Sequence, residues 1–148
     1  FHGDSAKTFA VGEISDEAKA LMKSTEESLY LAIDMAKPGV RLGDIGHAIQ
    51  KHNEDNGYSI VKQFVGHGVG KNLHEDPEVP NFGREGHGLR LVPGMVIAIE
   101  PMINIGTENV KTMSNDWTVK TTDGSLSAHF EHTIAITDNG AVILTQTD

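Results

Sequence analysis

Two glutamates stand where a carboxylate is costly. Glu100 ends the apolar run Met95–Glu100 directly before Pro101, and Glu131 lies mid-strand between Phe130 and His132. A buried carboxylate is unfavourable unless a cation or a metal balances it. Either one alone reads most simply as a salt bridge at a strand end. The picture changes when Asp4, in His2-Gly3-Asp4, and His67, in Gly66-His67-Gly68-Val69-Gly70, are added. The small neighbours of His67 let a ligand or a second strand approach the backbone closely. Together these residues form an oxygen-rich donor set on strand or strand-end positions. Such a set suits Mn, Fe(II), Co or a pair of Zn ions better than a structural zinc. Bridging carboxylates can hold two cations close together, and two cations can activate one shared water. The chemistry predicted is hydrolysis.

The elements that must position these residues fall into two textures. Phe1–Gly12 alternates loosely, and its β-prone Thr8-Phe9-Ala10-Val11 predicts a strand closed by Gly12. A helix then starts at Ser15 as N-cap, with Asp16 and Glu17 in its first turn. Leu21, Met22, Thr25, Leu29, Ala32, Ile33 and Ala36 follow at helical spacing until Pro38-Gly39. A second helix opens at Gly43-Asp44 and stops at Asn56-Gly57. From there the pattern turns to strands and glycine loops. Ser59–Val65 predicts a strand, Leu73–Leu91 an irregular stretch, and Lys111–Met113 with Trp117–Thr121 a strand pair. Ser127–Thr137 alternates, with Phe130, Ile134 and Ile136 on one face and His129, Glu131 and Thr133 on the other. Asp138-Asn139-Gly140 is its turn and Ala141–Thr145 its return strand. Helices early and strands late predict an α+β domain with helices covering one face of an antiparallel sheet.

Composition narrows the partners. The 148 residues suffice for one domain with a core, and the formal net charge of −9 argues against nucleic acid or an anionic membrane as main partner. No apolar run approaches the ~18 residues of a membrane span, and the opening residues do not read as a secretory signal. Cysteine is absent, which leaves His, Asp and Glu as metal ligands. Eight histidines is a high count, but His47 and His52 read as face residues of the second helix, with no co-ligand nearby.

The ordered blocks Gly66-His67-Gly68-Val69-Gly70, His74-Glu75-Asp76-Pro77, Ile99-Glu100-Pro101-Met102 and Phe130-Glu131-His132-Thr133 resemble type I methionine aminopeptidase. Phe1-His2-Gly3-Asp4 and Asn115-Asp116-Trp117-Thr118-Val119 match as well, so the resemblance runs from the first residue to the last. A lone Gly-His-Gly carries little weight, whereas blocks in register along the whole chain are specific. The resemblance implies the pita-bread fold, an α+β arrangement of a curved antiparallel sheet backed by helices in two pseudo-symmetric halves. It implies two divalent metal ions (Co, Mn, Fe or Zn) on Asp4, His67, Glu100 and Glu131, with Asp4 and Glu131 bridging. His74 is similar to a histidine that contacts the scissile amide and stabilises charge on its oxygen. Glu100 resembles the ligand that also handles the proton of the attacking water. Phe64 and Trp117 match positions in the pocket for the methionine side chain. His2 and His129 are expected to support the ligands from behind, and His87 and His132 to be structural or solvated.

The family's site has five protein ligands, of which this chain supplies four. The fifth, an aspartate, and a further histidine would precede Phe1. Residues 1–148 are therefore expected to be the C-terminal portion of a catalytic peptidase domain, with the fold incomplete on its N-terminal side. The partners implied are a peptide or nascent-chain N-terminus beginning with Met, the ribosome as a further candidate, and the chain's own N-terminal segment. A cytoplasmic enzyme is expected. Two rivals share the fold: a binding protein that has lost its metals, and a proline-specific peptidase. The intact ligand positions weigh against the first, and the loop Gly70–Pro77 against the second.

Overall fold

Helical periodicity governs the first third of the chain and strand pairing the remainder. The structure, a computed structural model, describes residues 1–146. After a two-residue β1 (Ser5–Ala6) the chain forms α1 (Asp16–Met35) and α2 (Leu42–Asp55). The Ser15 hydroxyl accepts the Ala18 N–H at 3.1 Å, satisfying one of the donors that a helix start leaves orphaned. Leu21, Thr25, Ser28, Leu29, Ala32 and Ile33 are buried along one stripe of α1. At the start of α2, Asp44 accepts the Arg41 N–H at 2.8 Å, and the chain leaves the helix through Gly57, whose φ of 83° is in the left-handed region. The two helices are joined by a buried polar link. Ser24 donates to Asn53 Oδ1 at 2.9 Å, and Asn53 donates in turn to the Ile49 carbonyl at 2.9 Å.

The strands are β2 (Ser59–Ile60), β3 (Gly66–Gly68), β4 (Glu75–Val79), β5 (Val96–Ile99), β6 (Met102–Asn104), β7 (Val110–Thr112), β8 (Val119–Thr121), β9 (Ser127–His129), β10 (Glu131–Thr137) and β11 (Gly140–Ile143). They pair antiparallel throughout. One sheet runs β1-β10-β5-β3-β4, with β11 also on β10; a second runs β2-β6-β9, and β7-β8 form a separate hairpin. Two ribbons cross from the first sheet to the second at the same level. The β5–β6 ribbon breaks at Glu100-Pro101 and the β9–β10 ribbon at Phe130, between the pairs His132↔Ile99 and Met102↔His129. Pro101 brings no N–H to the ladder, so the break falls there naturally. Ile97, Ile99, Ile103, Phe130, Ile134 and Ile136 project from these strands into one core with Leu21, Leu29 and Ile33 of α1 and Ile45 and Ile49 of α2. Each fully buried Leu or Ile contributes about 1.5–3 kcal/mol. The expected sheet backed by helices is thus present.

Several strand expectations need correction. Thr8–Val11 forms no strand; the strand at this end is Ser5–Ala6. Thr8 instead uses its hydroxyl, which donates to the His129 carbonyl at 2.8 Å and accepts the His129 N–H at 3.0 Å. Phe9 and Val11 are left exposed with no partner strand. Only Ser59–Ile60 of Ser59–Val65 is ladder, because its partner β6 is itself short. Inside the stretch expected to be irregular, Glu75–Val79 forms a strand despite Pro77; it lies at the sheet edge, where proline is tolerated. Ser127–Thr137 is two strands separated at Phe130.

Candidate metal centre

The three acids and one imidazole of interest are delivered by three structural devices. Glu100 and Glu131 emerge at the paired breaks where the two ribbons change sheets. His67 lies on β3, which is held flush between its neighbours by glycines. A Cβ on Gly66 would meet the Ala98 carbonyl oxygen at 2.3 Å, and one on Gly68 the Asp76 carbonyl oxygen at 2.2 Å. Neither distance is available to a side chain, so the close approach of β3 to β5 and β4 requires glycine on both sides of His67. Asp4 precedes β1 and is held by β10 through Thr133, whose hydroxyl accepts the Asp4 N–H at 2.8 Å and donates to its carbonyl oxygen at 2.7 Å.

The three acids converge on His67. Its Nε2 lies 3.6 Å from Asp4 Oδ2 and 3.4 Å from Glu100 Oε1. Its Nδ1 lies 2.9 Å from the Gly68 carbonyl oxygen, which can only accept, so Nδ1 carries the proton. Nε2 thereby faces the acids, the orientation of a metal ligand backed by a carbonyl. One ligand atom each of His67, Glu100 and Glu131 lies within 4.8 Å of the others, as does one each of Asp4, His67 and His74. The His74 ring stands beside the His67 ring, with centroids 4.0 Å apart and planes inclined at 50°.

The electrostatics are those of a site short of positive charge. Burial, then the negative charges of Glu100 and Asp4, push the Glu131 carboxyl up to about 8. Among the described residues Glu131 Oε1 is buried with no hydrogen-bond partner. No lysine or arginine among them pairs with Asp4, Glu100 or Glu131; the nearby bases are His67 and, on Glu100 Oε2 at 3.4 Å, His129 Nε2. A divalent cation would supply what is missing: it would partner the orphaned oxygen and remove the repulsion between acids. The donor set of three carboxylates and one imidazole therefore fits oxygen-preferring or borderline divalent metals.

The remaining predicted residues divide. Phe64 lines a cavity of about 360 Å³ that also reaches Glu100, Met102 and His129. Trp117 does not line it and is 87% exposed. The reason is local: Asn115 Oδ1 accepts the N–H groups of Trp117 and Thr118, and Asp116 takes a φ of 54°, so the β7–β8 turn carries the indole outward. His129 faces Glu100 as expected, whereas His2 reaches only the Gly70 carbonyl, at 3.4 Å. His132 is structural, between Tyr30 and the Thr145 hydroxyl, and His87 is exposed. Of the α2 histidines, His47 lies 3.9 Å from Glu85 and His52 3.6 Å from Glu27. The roles of Thr8 and Thr133 had no sequence signal beyond alternation, which places Thr133 on the Glu131 face.

Comparison with known proteins identifies the family. Residues 1–138 match the profile of metallopeptidase family M24. A methionine aminopeptidase of Clostridium acetobutylicum is 59% identical over 145 residues, covering 98% of this chain and 58% of that protein. Methionine aminopeptidase 1 of Bacillus subtilis is 57% identical over 146 residues, covering 99% of this chain and 59% of the relative. The crystal structure of a methionine aminopeptidase from Thermotoga maritima superposes with a TM-score of 0.96 at 51% identity, over 98% of this chain and 58% of that one. The chain thus spans a little under three fifths of the length of these relatives.

Proposed function

The chain belongs to metallopeptidase family M24 and has its pita-bread fold, and on that footing we propose that it carries the metal centre of a methionine aminopeptidase, which removes the N-terminal methionine of peptides and nascent proteins. The observation that carries this reading is the approach of Asp4, Glu100 and Glu131 to His67, with one oxygen of Glu131 buried and, among the described residues, without a hydrogen-bond partner. These four side chains would hold two divalent ions (Co, Mn, Fe or Zn). When bound, the ions would supply Lewis acidity and make a water more acidic.

The protein's own groups do the rest. Glu100 takes up the proton of the attacking water and returns it to the leaving amine, while His129 beside its Oε2 steadies the carboxylate. His74 donates toward the scissile carbonyl oxygen as negative charge grows there. Phe64, in the cavity adjoining Glu100, packs against the thioether of the first residue, while Trp117, predicted for the same pocket, stands outside it on the β7–β8 turn. Residues 1–148 act here as one part of a catalytic domain, and the nascent chain brings the ribosome as a partner. No helix among the described residues is long and apolar enough to cross a membrane.

The test is release of methionine from Met-Gly or Met-Ala peptides with added Co(II) or Mn(II), and with a chelator, alongside the metal content of the purified protein. Metal-dependent release is expected. A protein that retains no metal after loading and releases no methionine would overturn the reading.

A further inference from the structure

One edge of β10 is shared by two strands, and the residue at their junction is Thr133. β11 pairs with Ile134–Thr137, and β1 pairs with Glu131 and His132. The backbone of Thr133 follows the β11 side: its N–H is accepted by the Thr145 hydroxyl at 3.1 Å, and its carbonyl accepts the Leu144 N–H at 2.9 Å. Asp4 comes next after the last β1 pair, so its N–H and carbonyl would find no backbone partner on β10. The fully buried Thr133 hydroxyl takes both, accepting the N–H at 2.8 Å and donating to the carbonyl oxygen at 2.7 Å. Because side chains alternate along a strand, Thr133 shares its face with Glu131, so the clamp acts from within the wall that carries a second candidate ligand.

From this geometry we propose that Thr133 is a positioning residue for the metal centre: its hydroxyl fixes the backbone of Asp4 and so sets where the Asp4 carboxylate meets His67 and the metal. The inference rests on the metal-centre reading above. The hydroxyl matters as both donor and acceptor. Serine can replace it, whereas valine keeps the shape and loses both bonds. Asp4 precedes a strand of only two residues, so little else fixes its backbone.

Cobalt(II) titrated into the whole chain, followed by its visible absorption, tests this. Thr133→Val should weaken cobalt binding by about 10- to 100-fold, the usual scale for groups that orient ligands, and should change the absorption spectrum. Thr133→Ser should restore most of the affinity. In an Asp4→Asn background Thr133→Val should add little, because the hydroxyl acts through Asp4. Wild-type affinity in Thr133→Val overturns the clamp, as does a serine variant as weak as the valine one, or an undiminished valine effect without the Asp4 carboxylate. Hydrogen exchange at the Asp4 amide of the unmodified chain decides if Thr133→Val does not fold: protection is expected, and exchange at the rate of an open amide overturns the clamp. A wild-type chain that takes up no cobalt would instead overturn the metal reading itself.

Discussion

Raising the pH should weaken the metal-free fold, and Glu131 should be the cause. Burial, and then the charges of Glu100 and Asp4, move its carboxyl from an ordinary 4.5 to about 8. Below the lower value both folded and unfolded chains hold the proton, and the group has no effect on stability. Between the two values the unfolded chain has released the proton while the folded chain still binds it, so stability falls as pH rises; above the upper value the loss is complete. At pH 7 the interval from 4.5, at about 1.36 kcal/mol per pH unit, comes to about 3 kcal/mol. That is a large fraction of the roughly 5–15 kcal/mol typical of a whole domain. Urea midpoints measured in chelator from about pH 5 to 8 should therefore fall for the parent and much less for Glu131→Gln. His132, pushed down mainly by burial, titrates in the opposite sense, so the difference between the two proteins isolates Glu131. A variant whose midpoint follows the parent's at every pH would refute the argument. Added Mn(II) should remove the decline in the parent, because binding requires the carboxylate and releases its proton.

Other perturbations separate the metal centre from its scaffold. His74→Ala should lower kcat by about 10²- to 10³-fold while leaving cobalt affinity unchanged; an equal loss of affinity would make His74 a ligand, as its place beside Asp4 and His67 permits. Gly66→Ala sets a Cβ against the Ala98 carbonyl, so it should cost about 1–3 kcal/mol in urea unfolding and weaken metal binding with it, by displacing His67. Ser15→Ala removes the cap on α1, a helix that carries none of the ligands, and should cost about 1 kcal/mol in the same assay with no change in cobalt affinity.

How much of this was legible beforehand depends on the range of the interactions involved. α1 was readable residue by residue because an N-cap, a first-turn charge and a buried stripe are all local, within a few positions of each other. The ligand set was readable as chemistry, since Glu100 and Glu131 are acids among apolar neighbours and must be explained wherever they lie. Strand limits were not readable. Thr8–Val11 has strand propensity but no partner to pair with, while Glu75–Val79 contains a proline that only an edge position excuses. Nor did the sequence reveal that Trp117 points outward, because a turn bonded through Asn115 decides it.

By itself, then, the sequence determined the two helices, the residue types able to bind metal and the family they belong to. The tertiary structure decided that they meet: Asp4 is joined to Thr133 across a separation of 129 residues. No local propensity encodes such a contact. It exists because burying the β5 and β10 isoleucines against the helices fixes the ribbons, and the ribbons' common break then leaves their glutamates beside His67.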